Sequence, residues 1–555
     1  MERRALLAAV LCLLVLIVYQ EAIQYLYPPP PPGTGEEATS VPSPRPERIA
    51  PPTLADKGLP APESEVPVAG AIVPVETELY SARVAATGGR LVSFRLKQFR
   101  TAIDAASGPL EMVEVAPSAA APLGVRFIAE DGKVEDDTTV AYAADRQEMT
   151  LHGGETGTLT LTGRLPSDAR IEKTLAFTGD AYPITVTVRT EGLRTSLSRL
   201  GLSWRHHVTS AAGSDPESRY RGAVLLVKNK VVHELTSSLA GEPRKLFEPP
   251  IGWAGYNDHY FLAAIAPEDP ATAAAVVGPD DSGVQVLLTS ARSDDGDGDG
   301  RFTLYVGPKD VEVLDSAGHQ LSRAVDFGWF AFLAVPLLRL LKLFHAATGN
   351  YGIDIILLTI LVKVLFIPLS HKSMKSMREM QRLQPQMAKL REKFKDDRER
   401  LNKEMMELYR RHRVNPLGGC LPMLLQFPVF IGLYQTLNQA IELRHAGFAL
   451  WIRDLSTYEC YPWPGQAVAV GCNDLSLLGI PIPFLVLLMG ASMILQQWVS
   501  PATGMDPTQQ RMMTVLMPVM FTVMFVNFPS GLVLYWLVNN VLTIAQTWWT
   551  NRVRE

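Results

Sequence analysis

The sequence predicts a polytopic α-helical membrane protein of six spans, with a large all-β domain after its first span and a helical hairpin after its second. Three observations predict it. Apolar stretches near the roughly 20 residues that cross a bilayer recur at the N-terminus and over the last third of the chain. Between them, residues 69–318 read as short period-two runs broken by Gly, Asp, Asn and Pro. A third stretch, 371–415, is dense in charge and net basic, with apolar residues stepping by three or four.

The bulk composition excludes several classes. The chain has 555 residues, 20% of them charged, and a net charge of −5, which does not suit a protein that recognises nucleic-acid sequence. It has four cysteines, Cys12, Cys420, Cys460 and Cys472, and no C-x-x-C pair, so zinc and thioredoxin-type readings fail. A Walker loop, H-E-x-x-H and G-x-S-x-G are all missing from the sequence, and we expect no cofactor, no metal and no catalytic residue.

Residues 1–27 place Arg3 and Arg4 ahead of the apolar run Ala5–Tyr19. The segment QEAIQYLYPPP that follows offers no small-x-small cleavage site, which favours an uncleaved anchor with its arginines in the cytoplasm; a cleaved signal is the other reading. Residues 28–68 are a proline-rich linker that cannot bury a core. Runs such as LVSFRLKQF, IEKTLAF, PITVTVRT and RFTLYVG then indicate an all-β sandwich over 69–318. His206 and His207 are adjacent on one strand and are expected as a solvated pair. Asp295, Asp297, Asp299 and Gly300 begin like a calcium loop, but Val306 stands where a bidentate Glu is needed, so a solvated hairpin tip is expected.

Residues 319–349 contain an apolar helical stripe with Pro336, Arg339, Lys342 and His345 on another arc, the profile of a helix lying in the membrane interface. The second span is 350–370, and Lys363 stands well inside it, where insertion scales charge about 2.5–3.5 kcal/mol. Thr359 lies one turn before Lys363 and Ser370 two turns after, which gives the helix a polar face. A charge held there looks into water or a protein-lined cavity, or else it snorkels to the headgroups. The hairpin 371–415 joins near Lys395-Asp396-Asp397 and is cytoplasmic by its basicity; its Met-rich stripe suits either a partner or the hairpin's own packing.

Four spans remain, 416–441, 482–499, 512–527 and 532–549, separated by an outer loop 442–481 and an inner loop 500–511, with a cytoplasmic tail at 550–555. Cys460 and Cys472 share the outer loop and can close a disulfide in an oxidising compartment. Tyr535, Asn539, Thr543 and Gln546 recur at helical spacing on the last span, and Gln426, Tyr434, Gln435 and Asn438 on the third. Such groups are either interhelical hydrogen-bond glue or the wall of a wet cavity.

The runs NPLGGCLPMLLQFPVFIGLYQTLNQAIELRHAGFALWIRDLS, DPTQQRMM and NFPSGLVLYWLVNN resemble the membrane core of YidC-type insertases (the YidC/Oxa/Alb family). GNYGIDIILLTILVKVLFIPLS resembles the helix that carries their groove charge, LQP (383–385) falls where they have a cytoplasmic hairpin, and YVGPKD (305–310) with the long first loop resembles the Gram-negative form. The resemblance implies a five-helix core around a hydrophilic groove and a periplasmic β-super-sandwich. It puts Lys363 in the place of the groove cation, with Thr359 beside it, Tyr535 and Trp536 on the facing helix, and Phe427, Pro428, Phe430 and Met524 along the substrate's path. Gln426, Tyr434 and Asn539 complete the polar lining. The family usually has arginine where this chain has Lys363, which keeps the charge and loses the planar fork. The implied activity is insertion and chaperoning of nascent membrane proteins in the bacterial inner membrane. It would act alone or with the Sec translocon and its accessory subunits, with ribosome docking through the hairpin and both termini cytoplasmic. A secondary transporter or channel using Lys363 as its substrate site is the alternative, and a periplasmic scaffold on an anchor is a third reading.

Overall fold

The computed structural model describes residues 70–552 apart from 105–106, 114–120, 194–196, 208–219, 240–241, 281–282, 292–299, 395–396, 413–420, 461–471, 478–479 and 500–511. The N-terminal anchor, the linker, the acidic run at 295–299, Cys12 and Cys420 lie outside the described residues. The described chain forms two compact units, 70–325 and 326–552.

The first unit is built from sheets. Nine strands run edge to edge as Lys230–Leu235, Gly222–Val227, Ile251–Asn257, Phe261–Pro267, Gly300–Pro308, Pro183–Glu191, Arg170–Thr178, Thr156–Arg164 and Ala143–Ala144. Six others run as Lys245–Phe247, Ala274–Asp280, Gly283–Ala291, Leu197–His207, Gly124–Ala129 and Val134–Asp136. A five-stranded sheet holds Ile72–Glu76, Tyr80–Ala85 and Arg90–Arg100 together with two short edge strands. The period-two pattern explains the layering. In Arg170–Thr178 the residues Ile171, Lys173, Leu175 and Phe177 all point inward, and in Pro183–Glu191 so do Ile184, Val186 and Val188. The six-stranded sheet faces the nine-stranded one, with Leu200 against Gly300 and His206 stacked on Tyr256 at 3.7 Å between ring centroids. His206 is therefore packed against the opposite sheet, not solvated, because strand alternation turns it to the same side as buried Leu202 and Trp204.

A lysine on an inward-facing register position needs partners, and Lys173 has them. Its Nζ, fully buried, donates to the carbonyls of Gly88, Gly89 and Leu123 and to Asp137 Oδ2 at 2.7 Å. Asp137 also accepts from Val125 N and the Tyr142 hydroxyl and pairs with Arg90 at 3.2 Å. The unit closes with α1 (Val311–Ala317), whose first amides are capped by Asp310 of the YVGPKD run.

The second unit is helical. α2 (Ala331–Thr348) ends on Gly349 at φ +66°, the left-handed stop that favours glycine. Asn350 then accepts from Gly352 N and Ile353 N and starts α3 (Tyr351–Lys393), so a two-residue turn separates the helices. α3 has 43 residues and runs unbroken through Pro368 and Pro385. The change from apolar to charged sequence near residue 371 marks a change of surroundings along one helix, not a helix end. α4 (Arg398–Arg411) packs back on α3, with Met380, Leu383 and Met387 closed against Met405, Leu408 and Tyr409. Met380, Met387 and Met405 of the Met-rich stripe thus serve the pair's own packing.

The remaining helices are α5 (Leu421–Gln439), α6 (Phe484–Val499), α7 (Met517–Phe525), which follows a π-helical turn at Met512–Leu516, and α8 (Ser530–Arg552). α2 packs on α5 where Gly432 meets Leu333 and Thr436 Oγ1 donates to Ala334 O at 3.0 Å. α6 meets α7 where Gly490 leaves no room for a side chain beside Thr522, and α8 packs against both α3 and α6. Gly328–Thr348 and Tyr351–Pro368 are each long and apolar enough to cross a membrane, whereas Phe484–Val499 and Thr514–Phe525 are apolar but shorter. The segment read from its sequence as interfacial therefore also has the length of a span.

Candidate functional site

Lys363 stands on α3 between arcs of exposed apolar residues, with Leu361, Val364 and Leu365 at 43, 54 and 74% exposure. The side chain turns away from them toward α8. Its Nζ donates to Asn539 Oδ1 at 3.0 Å and to Thr543 Oγ1 at 2.6 Å. Asn539 Oδ1 also accepts from Gln426 Nε2 of α5 at 2.8 Å, and the same Gln426 amide reaches the Tyr535 hydroxyl at 3.5 Å. Three helices thus meet on one acceptor oxygen. Asn539 and Thr543 share a face because they are four residues apart. Among the described residues no carboxylate pairs with Lys363; its two acceptors are neutral.

The other expected site residues divide. Trp536, next to Tyr535, is boxed by Phe430 at 4.9 Å, Phe525 at 5.2 Å and Phe521 at 5.9 Å. Its indole N–H is buried with no partner among the described residues. Phe427 and Met524 stand exposed at 59 and 44%, and Pro428 lies inside α5. Tyr434 turns to the edge of Phe528. Thr359 is 2% exposed, and its hydroxyl donates to Ile355 O of its own helix at 2.6 Å. That i−4 bond satisfies the hydroxyl without Lys363, so the polar face expected on α3 reduces at this turn to the lysine. Thr543 was legible as part of the α8 stripe, but its place beside the ammonium was not.

The segment between α5 and α6 is built around two buried side chains. Cys460 and Cys472 are joined by a disulfide, Cα–Cα 5.2 Å, at the foot of a bridge between Glu459 and Asn473. Glu459, 1% exposed, accepts from Trp451 Nε1 at 2.7 Å and from the first amides of α6, Leu485 N and Val486 N, both at 3.0 Å. Asn473 accepts from Arg453 N and Asp454 N and donates to Ser530 Oγ at the start of α8. At the other junction, buried Asp354 accepts from Thr348 and pairs with His345 at 2.9 Å.

An apolar helical unit in which one lysine is held by two neutral side chains of a single facing helix, itself tied to a third helix, on a chain with a separate β-sandwich, defines a helical membrane protein with a polar site inside its bundle. Residues 343–555 match the model of the 60Kd inner membrane protein family, and residues 72–340 match the YidC periplasmic domain. The chain is 39% identical over 570 residues to the membrane protein insertase YidC of Syntrophus aciditrophicus, covering 100% of both. It is 36% identical over 562 residues to that of Geotalea daltonii, covering 100% of this chain and 99% of the other. A solved structure of an active YidC insertase with its first transmembrane domain resolved aligns over 88% of this chain and 95% of its own, at 16% identity and a TM-score of 0.37. The chain belongs to the YidC family of membrane protein insertases.

Proposed function

We propose that this chain inserts proteins into the bacterial inner membrane by offering the Lys363 cation, within its helical unit, to polar and acidic segments of a client. It is an insertase, not an enzyme. The observation that carries the reading is the ammonium bound to Asn539 and Thr543 with, among the described residues, no carboxylate beside it. A cation that has left water for an apolar bundle is usually paired. One left unneutralised gives a partly translocated acidic segment a charge-assisted partner, which lowers the cost of its desolvation. Apolar client segments would leave sideways along α5 and α7, where Phe427 and Met524 are exposed.

The finer topology belongs to the same proposal. Six spans, with both termini, the 500–511 loop and the hairpin 371–415 (the charged end of α3 with α4) in the cytoplasm, agree with the distribution of Lys and Arg. α2, with Arg339 and Lys342 on its polar arc, would lie along the periplasmic interface. Nascent membrane proteins are the clients, the Sec translocon with its accessory subunits handles larger ones, and the α3–α4 pair is the docking element for a ribosome. The transporter alternative, which an intramembrane lysine alone would permit, is set aside by membership of the insertase family.

The test is insertion of a small single-span client with an acidic outer tail by Lys363→Arg, Lys363→Ala and Lys363→Glu variants. Arg is expected to keep most activity, Ala to lose about tenfold, the value of a charge-assisted hydrogen bond, and Glu to lose more. Equal activity for Glu and Arg would refute the electrostatic reading.

A further inference from the structure

We infer that Thr543 is a positioning residue for the client-binding cation: together with Asn539 it holds the Lys363 ammonium by two of its three hydrogens, so that the group presents a single N–H to one client carboxylate. The inference rests on the proposed role of Lys363 and assigns its supporting side chain and the form of its ligand. A lysine head is a compact charge on a four-carbon stem, free to swing toward the nearest water. Here that freedom is removed from the facing helix. The Thr543 hydroxyl gives its own hydrogen to the Asn539 carbonyl at 2.6 Å, which leaves its lone pairs for Lys363, also at 2.6 Å. Asn539 Oδ1 divides its two lone pairs between Lys363 and Gln426, at 3.0 and 2.8 Å. Both acceptors therefore come from adjacent turns of α8, and the amide is itself fixed from α5. Among the described residues the third ammonium hydrogen has no partner.

Such a group differs from a guanidinium fork. It makes one point contact and cannot clamp both oxygens of a carboxylate. The ligand class that fits is a single carboxylate on an extended segment, engaged one residue at a time, so that the segment is released as the next part of the client follows. Thr543 sets where that contact falls.

The experiment uses the full-length chain in vesicles of phosphatidylethanolamine and phosphatidylglycerol. Two versions of one single-span client are followed, one with two aspartates in its translocated tail and one with two asparagines. Thr543→Val keeps the shape and removes the acceptor; Thr543→Ser keeps the hydroxyl. Val is expected to slow the aspartate client about fivefold, the scale of one net intramolecular hydrogen bond, while the asparagine client changes less than about twofold. Ser is expected to restore the aspartate client, and Val is expected to add nothing in a Lys363→Ala background, since the partner it acts through is gone. Equal slowing of both clients by Val, or a further loss on top of Lys363→Ala, would reduce Thr543 to a packing residue and overturn the inference. If Lys363→Ala itself left the aspartate client at the wild-type rate, the role of the cation would fall instead; loss there with no effect of Val would sink the positioning role alone.

Discussion

Lys173 in the β unit and Lys363 in the helical unit both turn their ammonium inward, and their surroundings are opposites. Lys173 in the β unit is 0% exposed and has four acceptors within 3.1 Å, one of them the Asp137 carboxylate. Lys363 in the helical unit has two, both neutral. Three ammonium hydrogens are more than satisfied in the first case and incompletely used in the second. A saturated buried charge is a structural node, since it ties segments together and offers nothing to a newcomer. An undersaturated one inside an apolar bundle carries a standing cost, and proteins keep such groups where a ligand or client supplies the missing partner. The contrast marks Lys173 as architecture and is the ground on which Lys363 is proposed as the client-binding charge.

The largest expected effect breaks this contrast directly. Lys173→Met takes one partner from Asp137, which keeps Arg90, and the ammonium donor from three buried carbonyls, and is expected to destabilise the β unit by about 3–5 kcal/mol. Denaturant unfolding of the full chain, followed through fully buried Trp204 and Trp253, measures it. Lys363→Met is expected to leave the stability of the helical unit unchanged or slightly raised, because a costly charge is removed from an apolar setting. If both changes cost the same, the division into a structural and a functional lysine is wrong.

How much of this was legible in the sequence depends on the range over which each feature is specified. The strand alternation, the apolar helices, the Gly349-Asn350 stop and start, and the α8 stripe of Tyr535, Asn539 and Thr543 are local patterns, and all could be read. Lys363 announced itself by standing in an apolar run. The node at Lys173 did not, because its carboxylate comes from 36 residues away and its carbonyl partners from 50 or more. What the register could have signalled was an inward-facing lysine between Ile171 and Leu175. Thr359 marks the opposite limit: its spacing from Lys363 was legible, but not that its hydroxyl satisfies itself on the i−4 carbonyl. The unbroken course of α3 was hidden because hydropathy reports the medium around a helix and not the helix.

The segment between α5 and α6 offers two finer ways to sharpen the comparison, since it too is saturated and should behave as structure. Replacing Cys460 and Cys472 with Ser removes a link across 12 residues, worth at most about 3 kcal/mol in the chain-entropy model. The expected results are a lower unfolding midpoint for the helical unit and, in the wild type, thiols protected from alkylation until reduced. Client insertion at temperatures well below that midpoint should be unchanged. Thiols that alkylate without reductant would remove the disulfide from the account.

The smallest effect is the most local. Glu459 shows that a buried charge can be saturated without any counter-ion: its carboxylate takes one indole N–H and two amides at the positive end of α6. Glu459→Gln is nearly isosteric, but it turns one of the two acceptors into a donor that must face a backbone N–H. The expected cost is about 1–2 kcal/mol, the scale of one buried donor left unmade. It should appear as faster hydrogen exchange at Leu485 and Val486, with little change at the amides of Arg453 and Asp454, which bond to Asn473 instead. Equal acceleration at all four would mean that the loop opens as one body and that Glu459 is not a separate cap. Confinement to α6 would place saturation by neutral donors beside saturation by a carboxylate, and set both against Lys363, whose partners among the described residues are incomplete.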